Sequence, residues 1–549
     1  MVRRSCASFA VVIAVVTGLA NRPASGAGTP SGANQAVTMP LYRGLGDVSH
    51  PVTTSSPLAQ KYFDQGLAFT YGFNHYEAER SFEQAALLDP KMPMAYWGVA
   101  LVLGPNYNMP QDRESGRRAF AAIKRAHSLE GNASAEERDL IEALSLRYGS
   151  DGLQTRAREQ AYADAMRAVA HRYPGDLDVQ TLFAESLMDL HPWQLWNNDG
   201  TPGVDTDEIV AVLESVLKRN PHHIGANHYY IHALEASPDP SRATASARRL
   251  AALAPGAGHL VHMPAHIYVR TGYFHAAAQA NENAIETDRK FFAASKEAGM
   301  YPLVYYTHNI HFLCYCEMIE GRRADALRSA RTLVALVPLD TVRKMPMAEF
   351  VLPVPYFVEA RFGEWDAALA EPAPQKDLLY TVAMWHYVRG LAFSATGEPA
   401  QADRERKQLD AAAKAIPADR PLGSTNQARN VAELARALLA GEILSARGDR
   451  QGAIAKFTEA VRRQDALNYD EPPIWYFPVR ERLGRELRAA ARVRDAELVY
   501  REDLKKNPGN PRSLYGLARC LRAEGRAAEA AGAERQFRGQ WRWADAGPE

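Results

Sequence analysis

Residues 221–266 read PHHIGANHYYIHALEASPDPSRATASARRLAALAPGAGHLVHMPAH. Pro221 and Pro255 stand 34 residues apart, and each is followed after seven and eleven residues by a histidine: His228 and His232, then His262 and His266. A chemical pair that returns at a fixed period marks a repeat built from one supersecondary unit. Within the unit, Ala243, Ala247 and Leu250 hold a helical spacing up to Pro255, which cannot continue a helix. The pattern predicts antiparallel helix pairs. A spacing of four sets both imidazoles of a pair on one helix face. A third pair, His308 and His311, follows one unit further on.

The same template extends in both directions. Gly66, Ala78, Phe82, Ala85 and Pro90 form the first unit, and Gly441, Ala453, Phe457 and Ala460 a late one. Small residues suit places where two helices cross closely, and the aromatic ring fills the hairpin interface. This spacing resembles the tetratricopeptide repeat superfamily over roughly residues 57–541. The resemblance implies an all-α, right-handed superhelical solenoid of about ten to twelve helix pairs. It also implies a concave groove lined by the first helix of each unit, where the paired histidines fall. Members of that family mostly grip peptides or proteins in the groove. An insertion near 288–304 interrupts the rhythm, and 340–420 fits it less well.

The chain has 549 residues, 46% hydrophobic and 23% charged, which is ordinary globular composition. Lys+Arg and Asp+Glu are equal at 64 each, so the basic footprint of a nucleic-acid binder is missing. Arg3 and Arg4, the apolar stretch Phe9 to Leu19 and the small residues Ser25-Gly26-Ala27 read as an export signal over 1–27. The expected location is therefore periplasmic or secreted, with no membrane span after cleavage. Residues 28–56, rich in Gly, Ser, Thr and Pro, read as a flexible linker or extended arm, and 542–549 as a tail. Cys314, Cys316 and Cys520 make no disulfide framework and read as small buried residues.

Ten of the sixteen histidines lie between His222 and His311, inside the central units at 177–320. Neighbouring first helices stand roughly 8–10 Å apart, so inward imidazoles from two of them can meet at one point. The expected metal ligands are His228, His232, His262, His266, His308 and His311. Glu185, Asp189 and Glu235 are candidate ligands or bases, and Tyr315 a candidate proton donor. The expected cofactor is a divalent transition metal, zinc, copper or iron, all of which imidazole suits. A mononuclear site, a six-histidine binuclear site matching in ligand count the coupled copper pairs held by helical histidines, and a metal-free groove for a small molecule or peptide all fit the pattern. So does a plain polar seam between helices. H-E-x-x-H, C-x-x-C-H, Gly-rich phosphate loops and G-x-S-x-G elbows are missing. The expected function is a metal-binding groove, with metal-assisted hydrolysis or oxidation if the protein is an enzyme; the rival is a non-catalytic interaction scaffold of the cell envelope. Pro264, between His262 and His266, decides whether that pair keeps a common face. The loops Gly104–Asn108 and Asp189–Trp193 are candidate cavity walls.

Overall fold

The computed structural model describes residues 39–295 and 299–548; the export signal and the first part of the linker lie outside them. The architecture is an all-α solenoid of the tetratricopeptide type. Six helix hairpins precede the third histidine pair: Pro57–Tyr71 with His75–Leu88, Pro93–Val102 with Arg113–His127, Ala135–Ser145 with Arg156–Arg172, Leu177–Met188 with Thr206–Arg219, Ile224–Glu235 with Thr244–Leu253, and the broken helix Gly258–His262/Pro264–Arg270 with Phe274–Ala294. Six more follow: Thr307–Glu320 with Arg323–Leu336, Val354–Phe362 with Trp365–Ala370, Leu379–Ala395 with Pro399–Ala415, Ala428–Ala446 with Arg450–Asp465, Val479–Ala489 with Val493–Lys506, and Pro511–Ala523 with Ala527–Gln540. The irregular stretch at 340–420 has a physical cause: its hairpin is made of two short helices after a 3₁₀ segment, Pro346–Val351. The sole sheet among the described residues is a two-stranded ribbon pairing Pro421–Leu422 with Asn426–Gln427.

The template residues do what their sizes require. Phe82 is fully buried, and a Cβ added to Gly66 or Gly98 would lie 2.6 or 2.4 Å from its ring. Glycine on both neighbouring helices thus gives the ring a flat seat. Gly484 and Gly516 seat Tyr500 in the same way, at 2.5 and 2.2 Å.

The superhelix closes on itself. The described part of the supposed linker, 39–56, is a packed arm: Met39 and Leu45 are buried, Gly256 N–H donates to the Gly44 carbonyl at 2.7 Å, and His50 is clasped by Asp178 at 3.2 Å. The tail is docked as well. Asp545 accepts from the Arg323 and Ala324 amides at 2.6 and 3.1 Å, and Gln540 donates to the Gly272 carbonyl at 2.8 Å. Two hydrophobic cores result, one from the N-terminal half and one from the C-terminal half, and Tyr268 and Phe292 pack against both. The histidine-rich units occupy the seam between them. No helix among the described residues is long and apolar enough to cross a membrane.

Phe82→Ala should cost about 3–5 kcal/mol locally, the range for emptying a phenylalanine site that cannot collapse. Hydrogen exchange should speed up in the hairpins at 57–127 and remain unchanged beyond 350.

Candidate histidine centre

The helix Ile224–Glu235 is buried along its whole length, yet it carries Asn227, His228, His232 and Glu235. Buried polar groups require partners, and the helix finds most of them. The Asn227 amide donates to the Pro221 and His223 carbonyls, at 2.9 and 2.8 Å. His228 Nδ1 donates to the Tyr71 carbonyl at 2.7 Å, and His232 Nδ1 meets Glu235 Oε1 at 2.9 Å. The Nε2 atoms of both rings remain buried without a partner.

Pro264 breaks the next helix at Met263 but does not turn it. Met263 keeps helical angles (φ −48°, ψ −35°), and Pro264 takes the first position of the continuing helix, where its missing N–H costs least. His262 and His266 therefore keep a common face. Their Nε2 atoms stand 2.6 Å apart. Each Nδ1 is engaged outward, His262 with Asn281 Oδ1 at 2.7 Å and His266 with Glu471 Oε2 at 2.5 Å and Glu235 Oε2 at 2.7 Å. The Asn281 orientation is consistent, since its amide nitrogen donates to the Ala277 carbonyl at 2.8 Å.

Two triads emerge. In one, nitrogens of His228, His232 and His259 lie within 4.8 Å of one another; in the other, those of His262, His266 and His308 do. The triads adjoin, with ring centroids 5.8 Å apart for His259 and His262 and 5.6 Å for His232 and His266. Glu235 spans them, giving one oxygen to His232 and the other to His266. His232, Glu235 and Glu471 also share one neighbourhood. Burial and the mutual repulsion of neighbouring imidazolium charges hold His228, His259, His262 and His308 well below the usual histidine range, and burial takes His232 down to about 3. These rings are neutral and able to ligate. His266 differs: against the effect of burial, the Glu471 and Glu235 carboxylates raise it to about 10.

His259 was not among the expected ligands. It follows Pro255 by four residues, where the preceding unit has Gly225, so the repeat gave no signal for it. A histidine three residues before His262 was the signal available. Gly258 sets its place: a Cβ there would strike Asp288 at 1.9 Å, and the Asp288-bound Tyr301 hydroxyl accepts from the His259 amide at 2.8 Å. Both ring nitrogens of His259 are buried and unpartnered.

His308 joins the second triad but His311 does not. A π-helical turn, Pro302–Tyr306, leads into the helix Thr307–Glu320 and aims His308 inward, as such turns often do at functional sites. His311, three residues on, instead bonds Tyr476 and packs on Phe350.

The expected acids divide. Glu235 lies in the centre, beside rather than among the ligating nitrogens. Glu185 and Asp189 lie elsewhere: Arg147 is buried between Glu159 at 2.9 Å and Asp189 at 2.6 Å, and Glu185 sits against Tyr229. Burial and the Asp189 charge push Glu185 to about 8, and burial with the Glu159 charge pushes Asp189 to about 7 against the pull of Arg147. They form a structural ion network, because their counter-charge is a guanidinium. Tyr315 lines a separate polar cavity with Phe312, Arg270 and one edge of His266.

Aromatic rings close the centre: Phe73, which sequence reasoning missed, and Tyr107 and Trp193, which lie in the two loops expected to wall a cavity. Phe73 stacks on His232 and His259, at 5.8 and 5.7 Å, and meets His228 edge-on at 4.5 Å. Tyr107 packs on His232 at 5.2 Å, and Trp193 stacks on Tyr107 at 5.6 Å. The two irregular loops thus wall the cavity. That chamber, about 170 Å³, is lined by His232, His259, His266, His308 and His311.

No protein-family model matches the chain, and no curated protein matches it. Among solved structures, the human IFIT1 dimer with m7Gppp-AAAA is similar at 12% identity over 81% of this chain and 90% of that one, with a TM-score of 0.34. The IFIT1 monomeric mutant with Gppp-AAAA matches at 12% over 85% and 94%, TM-score 0.34. The APC/C hetero-tetramer Cut9-Hcn1 matches at 12% over 88% and 73%, TM-score 0.29. Likeness at this level carries nothing about the centre.

Arg147→Met should destabilise the protein by about 3–5 kcal/mol, since it strands two buried carboxylates. Arg147→Met combined with Glu159→Gln and Asp189→Asn should recover much of that loss in thermal unfolding. The histidine centre should be unaffected by either set.

Proposed function

We propose that the centre holds two copper ions, one in each histidine triad, and that the protein is a binuclear copper oxidoreductase acting on a small molecule. The observation that carries this reading is the opposed pair His262 and His266. Two Nε2 atoms 2.6 Å apart, with both Nδ1 positions committed outward, need a cation between or beside them. A proton on His266 serves in the bare protein, and a metal ion serves better, since His228, His232 and His259 offer further unpartnered nitrogens next door.

The donor set supports copper over its rivals. Each triad offers imidazole nitrogens alone, whereas a non-haem iron centre takes a carboxylate among its ligands. Charge also discriminates. Two buried carboxylates, Glu235 and Glu471, accompany the triads, and two monovalent copper ions match them, while two zinc ions would leave two positive charges unpaired. Glu235 and Glu471 bind ring Nδ1 atoms, which orients Nε2 inward and raises its basicity. Bound copper would supply reversible electron transfer in a water-poor chamber. The chain's own groups hold the imidazoles in one tautomer, and Phe73 keeps solvent off the first triad. The chamber volume suits a small molecule and not a peptide. Read with the export signal at 1–27, the centre would work outside the cytoplasm.

Anaerobic loading with Cu(I) followed by metal analysis tests this. Wild type should retain two copper ions per chain, and His228→Ala and His308→Ala about one each. A chain that retains none belongs to the interaction-scaffold class. Two ions in both variants would place the copper elsewhere. Glu235→Gln should weaken copper binding about 10–100-fold, the usual cost of losing an outer-shell partner, and competition with a Cu(I) chelator measures it.

A further inference from the structure

The chamber's own chemistry narrows what can enter it. We infer that it takes a neutral, single-ring molecule carrying one hydrogen-bond donor, such as a simple phenol. This rests on the proposed copper centre for its charge argument only.

Size comes first. An engineered apolar cavity of about 150 Å³ binds benzene. The chamber, at about 170 Å³, has room for one ring with a small substituent. Its wall away from the histidines is apolar, built from Leu303, Val304, Val337, Phe350 and Val351. That wall offers a ring dispersion contact and nothing to a polar chain.

Charge comes second. No Lys or Arg lines the chamber. Of its two carboxylates, Asp470 accepts from the Ser424 and Glu471 amides at 3.0 and 3.1 Å, and Glu471 holds His266 through Oε2. With copper balanced by Glu235 and Glu471, an anionic ligand would bring an unpaired charge into a buried space. A cationic ligand would likewise add an unpaired charge, because the Glu471 carboxylate, whose Oε1 has no hydrogen-bond partner, is already set against the metal charge.

The polar handle comes third. Asn108 Oδ1 is buried without a partner at the chamber wall. The Tyr305 hydroxyl lies by the Asn106 and Asn108 amides but makes no well-formed hydrogen bond. An unsatisfied acceptor in an apolar pocket favours a ligand that brings a donor. Tyr305 packs on His259 at 4.6 Å, so a hydroxyl seated there stands beside the first triad.

Calorimetric titration of the full-length protein with phenol, toluene and benzoate, in both metal-free and copper-loaded forms, tests the inference. Phenol should bind at least tenfold more tightly than benzoate. Asn108→Ala should weaken phenol roughly tenfold, as for a lost hydrogen bond to a buried acceptor, and leave toluene unchanged. Val351→Phe should abolish binding of both rings by filling the chamber, with copper content still two per chain. Benzoate binding as tightly as phenol, or phenol binding indifferent to both substitutions, would overturn the inference. Phenol binding in a protein that retains no copper would remove the copper reading and leave the pocket standing. Two copper ions without phenol binding would do the reverse.

Discussion

Five buried imidazoles, a sixth that is half-buried at His308, and two buried carboxylates gather between two hydrophobic cores, and much of the surrounding structure answers to that burial. Unpaired buried polar atoms are costly. The protein meets the cost on the outer side of the rings, with a carbonyl at Tyr71, an amide at Asn281 and the carboxylates of Glu235 and Glu471. It does not meet it on the inner side, where Nε2 of His228 and His232 and both nitrogens of His259 lack partners. A core evolved for packing alone would have no reason for this asymmetry. A core built to receive cations would have to show it.

The solenoid's closure makes such a centre possible. An open superhelix exposes its inner helices to water, and histidines there would be solvated and mobile. Here the first hairpin turns in against Ile224–Glu235, so that Tyr71 and Phe73 cover His228, while the segment bearing Glu471 comes in from the far end of the chain. The docked tail at Asp545 and Gln540 holds that far end in place. The groove expected to hold a peptide, protein or small molecule contains here a chamber lined by histidines. Contacts between residues more than 200 apart in sequence thus complete a cluster whose imidazoles lie within 81 residues of one another, His228 to His308.

This division explains what could be read from the chain. Period and hairpin packing are local, so the fold and the inward facing of His228, His232, His262 and His266 were legible from one repeat. The third pair was half legible: His308 converges, but the π turn before it, which sets the register, has no signature in the 34-residue template. His259 was hidden because it breaks the repeat that revealed the others. Asp189 occupies an inward place yet pairs with Arg147, and Glu185 sits against Tyr229; no spacing announces a guanidinium arriving from another hairpin. Glu471 and Tyr476 come from a segment some 200 residues downstream and could not be assigned without coordinates.

Strain at the walls of the centre points the same way. Four non-glycine residues among those described have positive φ, and two of them bear on the centre: Phe73 at 54° packs its ring on His228, His232 and His259, and Trp193 at 61° lines the chamber. Each such residue costs roughly 1–3 kcal/mol, and glycine would relieve it. Glycine would also remove the ring. At Phe73 the loss would open a water path to three imidazoles whose neutrality depends on burial. At Trp193 it would leave Tyr107 unsupported against His232. Tight turns alone are served by Gly72 and Gly200 in the same neighbourhoods, so the turn does not explain the choice of an aromatic residue. The enclosure of the histidines does, and the backbone bears the cost of it.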